Sequence, residues 1–448
     1  MALGGGTWLV QNKVLPGTYV NYSSVSKASA ALSDRGIAAA PFVLDWGPEN
    51  TVFEVTSGDF QKNSKNIFGY NFNAPEMLLL REIFCHATKV LCYRLGIGGK
   101  KASAKFSDSD GAVFATARFP GKRGNDVTVV VAANVDNENA FDVSTYVGGE
   151  FFDLQTVESA ADLEDNDFIV FNKAAELAVT AGLPLAGGEN AEITGGSHQS
   201  FLDKIEAFSY NTLCCPANDP ATVKLYTAFC KRVRDEIGLK FQLVAFNADA
   251  DYEGVINVMN ESADDPENAT VECSALVYWV AGAQAGVNVN ASLTNSTYDG
   301  ELYVDTDFTQ AELEKAVKAG KFAFHKVNDK TRVLRDINSL LTLSDTKSED
   351  FQSNQTMRVL DQIANDVAVL FGTRYVGNVP NDADGRNALW NDVVALIRQL
   401  EKLRAVENFD PETLKIELGD TKKAVLLTMN GLFIVNAMEQ LYVAIIIK

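Results

Sequence analysis

The hydrophobic period of this 448-residue chain changes several times along its length. Each change limits what a segment can become, because a helix repeats its apolar face every 3.6 residues and a strand every two. Residues 1 to about 32 carry almost no period. They are rich in Gly, Ser, Thr and Asn, and their one strand-like piece is Gly17–Tyr22, where Tyr19 and Tyr22 flank Val20. So few apolar residues cannot bury themselves, so the sequence predicts an extended arm that is either disordered or held by a partner. From Arg35 the text becomes domain-like. The apolar run Ile37–Trp46 stops at Gly47-Pro48, and Asn73-Ala-Pro-Glu76 has the capping Asn, early Pro and first-turn acid of a helix start. Met77, Leu80, Phe84, Ala87 and Leu91 follow at helical spacing, and Val90–Leu95 reads as a strand.

Between 96 and about 190 the period switches to two. Ala112–Phe119, Val127–Ala132, Phe141–Val147 and Phe151–Val157 are strand patterns separated by Gly-rich turns, the signature of a small β-sandwich or barrel. From Ser197 to about 330 helical pieces (Gln199–Ser209, Pro220–Ile237, Ala275–Ala285, Gln310–Ala319) alternate with strands such as Phe241–Phe246 and Phe322–Val327. That alternation predicts a layered α/β domain with a largely parallel sheet. Two long amphipathic helices, Asn354–Phe371 and Asn387–Ala405, are followed by the strand-like pieces Leu414–Leu418, Val425–Met429 and Leu441–Ile447. The chain closes on a bare apolar strand and one Lys, an aggregation hazard unless something pairs with it.

Composition narrows the function classes. Fifty-nine acids against 39 bases give a net charge of −20, which repels nucleic acid and anionic lipid, and 46% hydrophobic residues exclude a disordered chain. Cys85, Cys92, Cys214, Cys215, Cys230 and Cys273 form no C-x-x-C pair and fit free thiols in a reducing cytoplasm. No charged and apolar leader opens the chain, and no window offers 18 uninterrupted apolar residues, so the sequence predicts a soluble protein, intracellular where it is made.

Catalytic chemistry is hard to find. Gly96-Ile-Gly-Gly-Lys100 meets neither phosphate-binding pattern and reads as a turn; Gly187–Gly196 reads as a loop leading into a helix. His86 and His325 have no companion at metal-ligand spacing. His198 with Ser197, Ser200 and Asp203 is the one cluster that could imitate a hydrolase, but Ser197 reads better as a helix N-cap and the G-x-S-x-G elbow is missing. Paired acids follow no calcium-loop spacing. Arg398, Lys402 and Arg404 make a basic set in an acidic chain, either a solvated helix face or a contact for an acidic partner. Catalytic residues, metals and cofactors are therefore expected to be none.

The segment Arg35-Gly-Ile-Ala-Ala-Ala-Pro-Phe-Val-Leu-Asp-Trp-Gly-Pro48 resembles the opening segment, after an arm, of the contractile phage tail sheath family. Leu80–Phe84, Pro120–Asp126, Asp251–Ile256, Val277–Ala283, Tyr298–Glu301, Arg332–Asn338, Arg358–Asp366 and Asn436–Tyr442 are similar to further family segments in the same order. The resemblance implies an α+β core domain split between both chain ends (33–95 and 331–448, after the arm 1–32). A β-sandwich (96–190) and a non-catalytic, subtilisin-like α/β domain (191–330) are inserted between them. It also implies a helical homopolymer of stacked hexameric rings around a tail tube, with baseplate and tail terminator proteins as partners. Such a particle, from a phage, defective prophage or R-type bacteriocin, is assembled in the bacterial host cytoplasm and contracts to drive the tube through a target envelope.

Within that scheme the arm residues Tyr19, Val20 and Tyr22 and the C-terminal strand residues Leu441, Val443, Ile445 and Ile447 link subunits, and Arg398, Lys402 and Arg404 are candidates to face the tube. Membrane anchoring and direct nucleic acid contact are not expected. Three alternatives stay open at this level: a hydrolase on the α/β domain, a glycan-binding protein on the β-sandwich, and a last strand that is an edge strand of its own domain.

Overall fold

The computed structural model describes residues 32–106 and 113–446. Tyr19, Val20 and Tyr22 of the expected arm, and Ile447 of the last strand, lie outside the described residues. The chain divides into two compact units, one built from Asp34–Gln362 and the segment from Ile434 on, the other from Ile363–Phe433.

A seven-stranded sheet runs through the first unit in the order Lys321–Phe322, Val255–Val258, Gln242–Phe246, Thr212–Cys215, Ile37–Phe42, Lys89–Arg94, Val52–Thr56. All neighbours are parallel except the last pair. A parallel sheet is covered on both faces, so its strands read as continuous apolar runs. Alternate residues feed two cores. Ala38, Ala40, Phe42, Val244 and Ile256 pack beneath the helices Leu78–Phe84 and Leu276–Gly286. Ala39, Leu91, Tyr93, Leu213 and Leu243 pack beneath Gly195–Ile205 and Pro220–Arg232. The helix Leu276–Gly286 comes so close to its neighbour that a Cβ on Gly282 would lie 2.2 Å from the Ile83 carbonyl, and one on Gly286 2.1 Å from that of His86. Only glycine fits there.

This topology joins the 33–95 segment to the α/β segment in one sheet. The strand Ile37–Phe42 is buried along almost its whole length and needs a neighbour on each side. It finds Lys89–Arg94 on one side and Thr212–Cys215, from the α/β segment, on the other. The four-residue strand Thr212–Cys215 is too short to announce itself by period, so the connection was invisible in sequence.

Residues 103–184 form the β-sandwich. Thr180–Pro184, Val127–Ala133, Phe141–Val147 and Glu150–Val157 make an antiparallel four-stranded sheet, and Ser103–Lys105, Val113–Ala117 and Ile169–Phe171 make the second sheet. They share a core of Phe114, Val129, Val131, Val143 and Phe168, completed by Trp46. Trp46 stacks on Phe168 with ring centroids 5.2 Å apart. Arg94, at the end of its strand, donates to the carbonyls of Leu44 (2.9 Å), Gly47 (2.9 Å) and Pro120 (2.7 Å).

In the second unit the helix Ala383–Lys402 is capped by Asp382, whose carboxylate accepts from the Gly385 amide at 2.8 Å. It buries Leu389, Val393, Leu396, Ile397 and Leu400. A two-stranded antiparallel hairpin, Leu414–Leu418 with Val425–Met429, packs against it, and the Trp390 indole donates to the Leu414 carbonyl at 3.0 Å. The helix Asn354–Leu370 contains the division between the units, after Gln362.

Candidate functional site: surfaces for assembly

The first half of the helix Asn354–Leu370 is held by buried charge. Arg358 donates to the Ala291 carbonyl (2.6 Å), to Gln284 Oε1 (2.6 Å) and to Asp336 Oδ2 (3.3 Å). Asp336 also accepts from the Gln284 side chain (2.6 Å), the Leu293 amide (3.0 Å) and Asn354 Nδ2 (2.9 Å). One turn on, Asp361 receives two parallel bonds from Arg234, at 2.7 and 2.9 Å. Burial pushes the Arg358 guanidinium pKa down. Burial pushes Arg234 down as well, but the Asp361 carboxylate outweighs it and the net direction is up. Breaking such a pair on one side strands a charge, at a cost of about 3–5 kcal/mol.

The chain returns to this helix at its C-terminal end. Gln355, in the first turn, donates through Nε2 to the Val435 carbonyl at 3.0 Å and accepts through Oε1 from the Ala437 amide at 3.0 Å. Ser353 and Thr356 both donate to Asn436 Oδ1, each at 3.2 Å. Glu439 is held by Arg335 Nε and the Thr294 hydroxyl, both at 2.8 Å. Beyond that point the chain is exposed: Leu441 88%, Tyr442 86%, Val443 69% and Ile445 83%. Among the described residues, 440–446 make no backbone hydrogen bond and belong to no sheet. The hairpin Leu414–Leu418/Val425–Met429 presents the converse feature, since among the described residues each of its strands has one partner and one open edge.

The basic set is not uniform. Arg398 donates to Glu401 Oε2 at 2.5 Å and lies over the Phe409 ring, 5.3 Å from its centroid. The Arg398 bond, with the Phe409 amide, holds the Glu401 carboxyl pKa below its ordinary value. Lys402 and Arg404 are exposed at the helix end, Arg404 with a φ of 60°.

The hydrolase cluster comes apart. Thr194, not Ser197, is the N-cap of Gly195–Ile205, and the Ser197 hydroxyl instead accepts from the Thr194 amide at 3.1 Å, closing a capping box. His198 Nδ1 lies 2.9 Å from the Tyr226 hydroxyl, and burial pushes its pKa down. Ser200 donates back to the Gly196 carbonyl at 2.9 Å, and Asp203 accepts from Gln199 at 2.7 Å. A nucleophile, base and acid aligned on one another are not present in this cluster. The Gly96–Lys100 turn holds an anion of the chain's own: the Gly98 and Gly99 amides donate to the Glu49 carboxylate at 3.0 and 3.1 Å. His86 meets Asp299 at 3.0 Å, and His325, on a strand opposite Arg332, has its pKa lowered by burial and then by that arginine. Among the described residues no group of three or more His, Cys, Asp or Glu could hold a metal, and no helix is long and apolar enough to cross a membrane.

Sequence reasoning missed Gln355, Thr294, Arg335 and Glu439 as a set. The visible signal was the run of segments bearing the resemblance, because several meet here. Arg81 and Glu82 bind the 298–301 segment, with Glu82 accepting from the Tyr298 hydroxyl at 2.7 Å. Arg358 meets Asp336, and Glu439 meets Arg335.

Four matches to known domains span the chain: tail sheath protein Gp18 domain III N-terminal region over 35–95, phage tail sheath protein beta-sandwich domain over 98–190, phage tail sheath protein central domain over 191–339, and phage tail sheath C-terminal domain over 346–448. The chain is 30% identical over 469 residues to the phage-like element PBSX protein XkdK of Bacillus subtilis (strain 168), covering 98% of this chain and 99% of that one. A sheath tail protein from Desulfitobacterium hafniense has the same fold, with a TM-score of 0.80 and 35% identity over 94% of this chain and 98% of that one. The helical sheath of the anti-feeding prophage in its contracted state shares the fold at 12% identity, with a TM-score of 0.56 over 97% and 99%. The matches, together with a β-sandwich set beside a covered parallel sheet, place this chain in the phage tail sheath protein family, as a structural protein of the tail sheath of phages or phage-like particles.

Proposed function

We propose that this chain is the repeating subunit of a contractile tail sheath. Copies stack as six-fold rings around a tail tube, bounded by baseplate and tail terminator proteins, and are assembled in the bacterial host cytoplasm. Contraction then drives the tube through a target envelope. The observation that carries this reading is the apolar segment 441–446, exposed and unpaired among the described residues, in a chain that also carries a two-stranded hairpin with open edges. An isolated hairpin is marginal in water, and a third or fourth strand is what stabilises it. Strand addition from a second copy satisfies both needs, each main-chain bond contributing about 0.5–1.5 kcal/mol. Leu441, Val443, Ile445 and Ile447 form one face of the donated strand, and Tyr19, Val20 and Tyr22 supply a second link from the opposite end of the chain. The remaining domains, including the subtilisin-like α/β layers, are scaffold: Ser197, His198 and Ser200 serve local structure rather than catalysis. The domain scheme proposed with it is an arm (1–32), a core domain split between 33–95 and 331–448 with the terminal linking strand, and an inserted β-sandwich (96–190) and α/β domain (191–330).

Deleting residues 440–448 tests the reading. The truncated chain is expected to keep the circular dichroism and Tm of the full chain but to form no sleeves by negative-stain microscopy. Sleeves of normal length from the truncated chain would overturn it.

A further inference from the structure

We infer that Gln355, Arg335 and Thr294 form a clamp that roots the assembly strand at Glu439 and carries tension from it into the α/β body. The inference rests on the strand-exchange reading above and adds to it where the strand begins and what holds it. The Gln355 side-chain amide treats the backbone as a residue of a parallel strand would. It donates to the carbonyl of Val435 and accepts from the amide of Ala437, the two groups on either side of Asn436 (3.0 Å each). Asn436 is fixed from the same turn by Ser353 and Thr356. Two residues after Ala437, Glu439 spans Arg335 and Thr294, at 2.8 Å each. The helix turn that supplies Gln355 is itself locked by Arg358 to Asp336 and by Asp361 to Arg234, both pairs buried.

Two consequences follow from this geometry. First, the donated strand starts at Gln440. At about 3.3 Å per residue, the described part 440–446 reaches about 23 Å. Second, the strand is rooted on the unit Asp34–Gln362, not on the unit Ile363–Phe433 that precedes it in sequence. Pulling on the strand therefore loads the sheet-bearing body through Gln355 and Arg335. With 435–439 already held by these bonds, assembly does not pay again for ordering their backbone.

The test uses the full chain and the exposed ion pair. Arg335→Glu and Glu439→Arg alone are each expected to raise the critical concentration for sleeve formation about tenfold. Each is also expected to speed hydrogen exchange of the Ala437 amide in the unassembled chain, with Tm unchanged. The Arg335→Glu/Glu439→Arg double variant, which restores the pair in reverse, is expected to recover most of both. Singles that leave Ala437 exchange and critical concentration unaltered overturn the clamp, and so does a double variant no better than the worse single. The deletion of 440–448 separates the two ideas. If it removes sleeves but leaves Ala437 protected, both stand. If sleeves persist while Ala437 remains protected, strand exchange fails although 435–439 are still anchored.

Discussion

Ile37–Phe42 and Leu441–Ile446 are both short apolar stretches of strand-forming character, yet their fates are opposite. The first is buried and paired along both edges, to Lys89–Arg94 and Thr212–Cys215. The second is exposed and unpaired among the described residues. The difference is not in their side chains. Backbone N–H and C=O groups need partners, and an apolar face needs a cover; the first stretch finds both within its own chain, and among the described residues the second does not. Under the proposed function, the second stretch is half of an interface.

One matched pair of substitutions breaks this comparison most sharply. Ala39→Asp buries an unpaired charge between two helices and the sheet and is expected to cost about 4 kcal/mol or more, close to the whole stability of many domains. Circular dichroism should find little folded protein. Ile445→Asp, on the exposed segment, is expected to leave Tm within a degree or two while abolishing sleeves. A Tm loss at Ile445 comparable to that at Ala39 would mean that the last segment is covered by its own chain.

A smaller effect sharpens the role of the shared helix. Asp361→Asn leaves Arg234 buried without its charged partner and is expected to cost about 3 kcal/mol in denaturant unfolding. A loss below about 1 kcal/mol would show that the pair is solvated and that the helix is not held there. Smallest in stability terms is reversal of Arg398, Lys402 and Arg404 to Glu, all on the partly or fully exposed end of their helix. We expect unchanged Tm and normal sleeves without tube, seen as hollow particles by microscopy. Particles that retain the tube, contract and sediment normally would remove this face from the tube interface.

Where the period was strong, the sequence was legible. The sandwich strands Phe141–Val147 and Val127–Ala133 alternate cleanly, and the helix Pro220–Arg232 is announced by Asp219 and the Pro at its first turn. Weakly periodic elements escaped, among them two that shape the sheet. The helix Ser57–Phe68 is mostly polar and buries only Phe60, Ser64 and Phe68, so its start, capped by Thr56 on the Asp59 amide, was the one local sign of it. Thr212–Cys215 is four residues long. The proposed assembly surface was half legible: the apolar segment showed in its composition, but its contacts with Gln355 and Arg335 did not. Gln355 and Ala437 are 82 positions apart, and Arg335 and Glu439 are 104 apart.

By itself the sequence determined the strongly periodic elements, the family and the presence of an apolar C-terminal segment. Those depend on period, composition and ordered segments, all of which are written along the chain. Tertiary structure decided the rest. It put the 37–94 strands into the α/β sheet, filled the Gly98–Gly99 amides with Glu49, tied His198 to Tyr226, and tied Val435 and Ala437 to Gln355. Each of these depends on which polar group meets which partner across 28 or more positions of the chain. Hydrogen-bond geometry selects that pairing only once the backbone has brought the groups within about 3 Å.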